Sequence, residues 1–328
     1  MVIAEAAADT IRLWGARLSQ TLSIRLRTTP DPRTGEFVRF LEEFAECSDR
    51  VRIIHEEGEA AELPAILISP SLTYQALPLD RELAPFLEIL TNSLGNLERP
   101  DPALQQQLAQ ISWPAEVTVF IASACPHCPE VVRRISPLAF QQPWIHISIV
   151  DGALFPELPD PLGIRAVPTV VLDDNFRWTG SLDRNDFLET VIHRDGALLP
   201  VSALKTLLKE GQAERLAEMM LDRGEIFPAF TDLVTHPEWS VRLGAVVVVE
   251  EMAEKNPGLA GSILPPLWER FSTADTTVKG DILYLTGLAG SPEEWGDRLR
   301  AILGSDLPED LREGAREALD GWSMRDNA

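Results

Sequence analysis

The chain has 328 residues, 45% of them hydrophobic, which is enough for two or three domains with real cores. Its formal charge of −22, from 51 acidic and 29 basic residues, argues against nucleic acid as a partner, because such a partner calls for a basic face. No apolar run reaches the ~20 residues of a membrane span, and three cysteines (Cys47, Cys125, Cys128) are too few for a disulfide scaffold.

In chain order, MVIAEAAADTIRLWGARLSQ carries acids where a secretory signal would carry a basic stretch. It is expected to form an amphipathic helix in a cytoplasmic protein. TLSIRLRT (21–28) alternates as a strand, and FLEEFAECSDRV sets Cys47 on an apolar helical face, where a buried bystander is expected. ELPAILIS (62–69) and LDRELAPFLEIL (79–90) follow as a strand and a helix.

The same plan then recurs. EVTVFIAS (116–123) predicts a strand, CPEVVRRISPLAF a helix and WIHISIVD a second strand. AVPTVVLD (166–173), FRWTGSL and DRNDFLETVIHRD predict two further strands and a closing helix. TLSIRLRT matches EVTVFIAS, Pro64 matches Pro168, and Leu79 matches Leu182, at nearly one offset throughout. Three landmarks in one order indicate a tandem duplication. In the first copy the position of the cysteine pair is held by Pro30–Arg33, PDPR, without a thiol.

Cys125–Pro126–His127–Cys128 stands where the strand gives way to the helix. A Cys-x-x-Cys at a helix start is the sequence form of a redox motif. Unpaired backbone N–H groups and the helix dipole stabilise a thiolate on Cys125, and Cys128, one turn on, can attack a mixed disulfide formed there. Pro126 suits a first helical turn, and His127 can add a donor and positive charge. A metal site is the competing reading, but zinc or an iron–sulfur cluster calls for about four ligands. Cys47 and the histidines His55, His127 and His193 are scattered, so no metal is expected. An inert pair also remains open, as does a plain surface role for His127.

RAVPTVV resembles the thioredoxin-family segment in which a cis-proline faces the cysteine pair. The resemblance implies a cis Val167–Pro168 bond, a Val167 backbone that pairs with a substrate strand, and a Pro168 that keeps metals off the thiols. Thioredoxins usually place a buried acid six residues before the first cysteine; here that residue is Val119. Two tandem folds, the first without the motif, resemble the N-terminal domain of the bacterial alkyl hydroperoxide reductase flavoprotein subunit. SACPHCPEVV, IVDGALFPEL and RAVPTVVLDD carry that likeness over residues 5–197. Glutaredoxin-like protein disulfide oxidoreductases share the layout. On this resemblance Glu82 approaches the active site from the inert half as a proton-relay carboxylate; read alone, it is a solvated helix residue. No GxGxxG follows, so no flavin or other cofactor is expected, and electrons must pass to or from a separate protein.

Beyond Pro200 only helical patterns remain. Val241–Arg242, Val278–Lys279 and Leu311–Arg312 open successive apolar helices at a period that points to stacked hairpins. They resemble HEAT repeats. The expected fold is two α/β thioredoxin-like folds, 1–100 (degenerate) and 101–197 (with CPHC), followed by an all-α HEAT-like domain, 198–328. The expected function is cytoplasmic thiol–disulfide exchange with protein partners. A redox-inactive or redox-sensing interaction scaffold is the alternative.

Overall fold

The computed structural model of the chain describes residues 3–59 and 62–325. The chain divides into two compact units, Met1–Arg194 and Asp195–Ala328. The first contains α1 (Glu5–Gly15), β1 (Leu22–Thr28), α2 (Thr34–Glu46), β2 (Val51–Glu57), β3 (Ala65–Ser69), β4 (Leu72–Gln75) and α3 (Leu83–Thr91). The plan then repeats as α4 (Pro102–Leu108), β5 (Ala115–Ile121), α5 (Cys128–Gln141), β6 (Ile145–Asp151), β7 (Thr169–Leu172), β8 (Phe176–Thr179) and α6 (Arg184–His193).

The alternation read from the sequence sets the faces. In β1, Leu22, Ile24 and Leu26 are buried while Ser23, Arg25 and Arg27 lie on the other side. Helix α2 buries Phe37, Phe40, Leu41 and Phe44, an i, i+3, i+4, i+7 stripe. Phe40 and Phe44 meet Phe86 of α3 edge-on, and Phe86 meets Tyr74 of β4 with ring centroids 5.2 Å apart. This aromatic cluster makes one core of strand and helix.

Both copies contribute to a single eight-stranded sheet, in the order β2-β1-β3-β4-β6-β5-β7-β8. The copies join where β4 runs parallel to β6, pairing Thr73 with Ser148 and Tyr74 with Ile149. The Thr73 and Ser148 hydroxyls lie 2.9 Å apart across the seam. The first half is therefore sheet-bonded to the half that carries Cys125 and Cys128, and its strand β4 lies two places from β5.

The second unit is helical throughout its described residues: α7 (Val201–Lys209), α8 (Ala213–Arg223), α9 (Phe230–Val234), α10 (Trp239–Lys255), α11 (Pro257–Gly261), α12 (Leu264–Phe271), α13 (Thr276–Ala289), α14 (Pro292–Leu303) and α15 (Glu309–Arg325). The three aliphatic–basic pairs lie in the first turns of α10, α13 and α15, which pack side by side in that order. Their basic members do different things. Arg242 is buried, ion-paired to Asp281 at 2.8 Å and bonded to the Thr277 hydroxyl, so it ties α10 to α13. Lys279 lies 5.8 Å from the Phe271 ring centroid, and Arg312 pairs with Glu309 on its own helix.

Candidate active site

β5 ends at Ile121, and the Cys125 N–H donates to the Ala122 carbonyl at 2.9 Å before α5 begins. Cys125 and Cys128 are joined as a disulfide, with Cα atoms 5.6 Å apart. The Cys128 N–H, at the start of α5, points at Cys125 Sγ from 3.1 Å. This is the arrangement that favours negative charge on the first sulfur. Cys128 is fully buried and Cys125 keeps 8% exposure, so Cys125 is the sulfur that a partner can reach. Pro126 and His127 are exposed beside it. Sequence spacing put Pro126 in the first helical turn; instead the helix starts at Cys128, with His127 as its N-cap and Pro129 in the first turn. The reason is local: the Ala122–Cys125 turn holds Pro126 outside the helix.

The Val167–Pro168 bond is cis. Pro168 is buried at the mouth of β7, which runs antiparallel to β5, and the Val167 carbonyl oxygen lies 3.8 Å from Cys125 Sγ. The cysteine pair and the proline segment, 40-odd residues apart in sequence, therefore face each other at the end of one strand pair.

Glu82 comes from the other half. It ends the short 3-10 turn Asp80–Glu82 before α3, a turn against which α5 packs. Its side chain is 1% exposed rather than solvated. The Tyr74 hydroxyl donates to Oε2 at 3.1 Å, whereas Oε1 is buried with no hydrogen-bond partner among the described residues. Burial pushes the carboxyl up to about 7; the Tyr74 bond and the charge of Arg133 on α5 hold it down, and Asp151 pushes it up further. Asp151, the last residue of β6, pairs in register with Ile121 of β5. A carboxyl that is half-protonated near neutrality thus sits against the helix that carries Cys128.

Residues 115–193 match the thioredoxin domain family. The chain is similar to the alkyl hydroperoxide reductase component AhpF of Staphylococcus epidermidis, with 24% identity over 163 residues, 48% of this chain and 31% of the relative. It is also similar to an NADH dehydrogenase of Bacillus subtilis, with 21% identity over 176 residues, 52% of this chain and 34% of the relative. The chain thus spans about a third of the length of these curated relatives. Among solved structures, the NTD_N/C domain of the alkylhydroperoxide reductase AhpF from Enterococcus faecalis superimposes with a TM-score of 0.51 at 18% identity, covering 58% of this chain and 99% of that one. A protein disulfide oxidoreductase from Aeropyrum pernix gives the same score and identity, covering 58% and 92%. The fold of the first unit is a tandem of thioredoxin-like domains.

The structure brings Cys125, Cys128, Val167 and Pro168 together, with Pro126 and His127 on the rim and Glu82 beneath α5. Val119 is fully buried in β5, as an apolar residue in that position should be. Cys47 stands apart: it is half-buried at the end of α2, its Sγ 3.3 Å from the Glu43 carbonyl, and burial pushes its thiol up. Tyr74 and Asp151, which act on Glu82 alongside its burial, were not singled out by the sequence. The one available signal was that Tyr74 is one of only two tyrosines in the chain.

The equivalent place in the inert half is occupied by charge. Arg33, in the PDPR segment, pairs with Asp31 at 2.6 Å and with Glu157 at 2.5 Å. It also donates to the Leu154 carbonyl at 2.9 Å and lies 4.3 Å from the Phe155 ring centroid. The PDPR segment thus grips the segment that follows β6 in the half that carries Cys125 and Cys128.

Proposed function

We propose that the chain is a thiol–disulfide oxidoreductase that acts on protein thiols or disulfides through Cys125 and Cys128. In the reducing direction, the Cys125 thiolate attacks a partner disulfide; one S–S bond breaks as another forms, and the first partner thiolate leaves. Cys128 then loses its proton to the Glu82 carboxylate and attacks Cys125 Sγ. This expels the second partner thiol, to which the proton can return, and leaves the Cys125–Cys128 disulfide. A separate donor protein restores the dithiol; with an acceptor protein the same steps run in reverse. His127 and Pro126 form the rim that meets the partner. The Val167 backbone offers hydrogen bonds to an extended partner strand, and Pro168 shapes the floor beneath it. The helical unit, read as HEAT-like repeats spanning 198–328, engages the protein partner, and the setting is the cytoplasm.

The observation that carries this reading is the convergence on Cys125 Sγ of the Cys128 N–H at 3.1 Å and the Val167 carbonyl at 3.8 Å. A redox pair needs both a stabilised nucleophile and a place for the partner chain, and these contacts support that reading.

Trapping tests the proposal. Cys128→Ser removes the resolving sulfur and keeps the nucleophile, so it should accumulate mixed disulfides with partners in cells, seen as high-mass bands that vanish on reduction. Cys125→Ser should trap little, and Cys47→Ser should leave the pattern of the wild type. Trapping by Cys128→Ser no greater than by the double Cys125→Ser/Cys128→Ser variant would overturn the oxidoreductase reading in favour of an interaction scaffold.

A further inference from the structure

Among the described residues, eight large apolar side chains are exposed, and four of them form one patch on the helical unit: Trp239, Leu243, Val247 and Tyr284. Trp239 (65% exposed), Leu243 (46%) and Val247 (36%) follow at i, i+4 and i+8 along α10, so they make a single row on one side of that helix. Tyr284 (51% exposed) continues the row onto α13, where its hydroxyl donates to Glu250 of α10. Tyr284 also lines a cavity of about 300 Å³ between α13 and α15, with Gly280, Leu288, Gly314 and Ala318 among its walls. Nothing lies within 4 Å of where a Gly280 Cβ would be, so the floor is open to another backbone.

A hydrophobic row of this extent is not needed by the unit's own core, which is built from the opposite sides of the same helices: Val241, Ala245, Val248, Val249 and Met252 of α10, and Ile282, Leu283 and Leu285 of α13. Carboxylates border both parts of it. Glu317 lines the cavity and Glu250 sits between α10 and α13. The cations along α10 are already committed: Arg242 is buried against Asp281, and Lys255 lies 4.0 Å from both Glu218 and Glu251. At the Trp239 end, Lys205 and Lys209 both bind Glu238.

We infer that this face binds an amphipathic helix of a partner protein, with large apolar side chains at i, i+4 spacing on one side and lysines or arginines along its flanks. The apolar row and cavity receive the anchors, while Glu250 and Glu317 meet the basic flanks; the acidic chain as a whole steers such a segment in. This deepens the reading in which the helical unit engages a partner, but it does not require the cysteine pair to be active.

The test uses the full-length oxidised protein and a labelled amphipathic peptide of about 18 leucines and lysines, ~27 Å of helix, followed by fluorescence anisotropy. Saturable binding that weakens with salt is expected, with at least ten-fold loss in Leu243→Ser/Tyr284→Ser and in Glu250→Lys/Glu317→Lys. Circular dichroism confirms that the variants fold, and Ile54→Ser, an exposed apolar change on the other unit, should bind as the wild type. Equal binding of a scrambled peptide of the same composition, unchanged binding by Leu243→Ser/Tyr284→Ser, or no binding would each overturn the inference. So would a wild-type dimer in sedimentation that Leu243→Ser/Tyr284→Ser dissociates, because the occupant would then be a second copy. Trapping at Cys125 reads the redox proposal separately, so either can fail alone.

Discussion

The two halves of the sheet share one backbone plan and differ at the same place. In the second half the strand-to-helix turn carries Cys125 and Cys128 opposite a cis Val167–Pro168; in the first it carries Asp31 and Arg33, and the Leu63–Pro64 bond is trans. Where the second half has thiols, the first has an ionic grip on the other half, through Glu157 and the Leu154 carbonyl. The inert half also delivers Glu82 and Tyr74 to the underside of α5. The shared sheet fixes where the side chains of the first half end up, so a half without the cysteine pair still places Glu82 against α5.

The largest effect that bears on this comparison comes from swapping the motif. Cys125→Ser should abolish exchange with a protein disulfide, a loss of at least about 10³-fold. The graft Pro30→Cys/Arg33→Cys in that background should not restore it, because it deletes the bonds of Arg33 to Glu157 and to the Leu154 carbonyl. Recovery of turnover by the graft would mean that the thiols alone separate the two halves.

The second effect is on stability. Burial raises the Glu82 carboxyl from 4.5 to about 7, so the folded protein holds that proton more tightly than the unfolded chain. Its contribution is fully present below pH 4.5 and is lost as pH rises through about 7, up to roughly 3 kcal/mol. Denaturant unfolding of the oxidised protein should show this decline, and Glu82→Gln should flatten it. A parallel decline in Glu82→Gln would assign the pH dependence to other groups.

Removing the grip is a comparable or smaller change. Arg33→Ala deletes the side-chain bonds to Leu154, Glu157 and Asp31, leaving Asp31 only the backbone N–H of residue 33, which should cost about 2 kcal/mol. Hydrogen exchange should quicken in the segment after β6 while Cys125 stays reactive. Loss of Cys125 reactivity in a folded Arg33→Ala would show that the degenerate motif does more than hold the halves together.

The smallest predicted effect belongs to Tyr74→Phe. It removes the hydroxyl that steadies the ionised Glu82 and keeps the ring against Phe86. The Glu82 midpoint should rise by about one unit, the worth of one buried hydrogen bond to a charged group. An unmoved midpoint would make Tyr74 a packing residue only.

Much of this was legible because it depends on local pattern. Alternation marked β1 and β5, helical spacing marked α5, and the spacing between Cys125 and Cys128 needs no tertiary information. The matching positions of Pro64 and Pro168 exposed the duplication, though the resemblance, not the spacing, implied that Pro168 would be cis. The β4–β6 seam was hidden, since a pairing between Tyr74 and Ile149 leaves no periodic trace in either strand. The short strand that carries Tyr74 was not predicted, and only burial beside Glu82 gives its hydroxyl a task. Arg33 reads as a turn residue, because its partners Leu154 and Glu157 lie more than a hundred positions away. Proline preference suggests Pro126 inside the first turn, but α5 begins two residues later, because the Ala122–Cys125 turn decides where it starts.

The central claim, that the inert half moves the proton for the resolving thiol, is tested most directly by the rate at which Cys128 clears a mixed disulfide from Cys125. Cys125 is loaded with a small chromogenic thiol, and its release is followed by stopped flow across pH 5 to 9. The wild type should show a step in rate with a midpoint near 7, rising as Glu82 loses its proton. Glu82→Gln should lose that step and run about 10²-fold slower at neutral pH. Superimposable profiles for the two proteins would contradict the account and leave Glu82 as a buried carboxyl with no part in exchange.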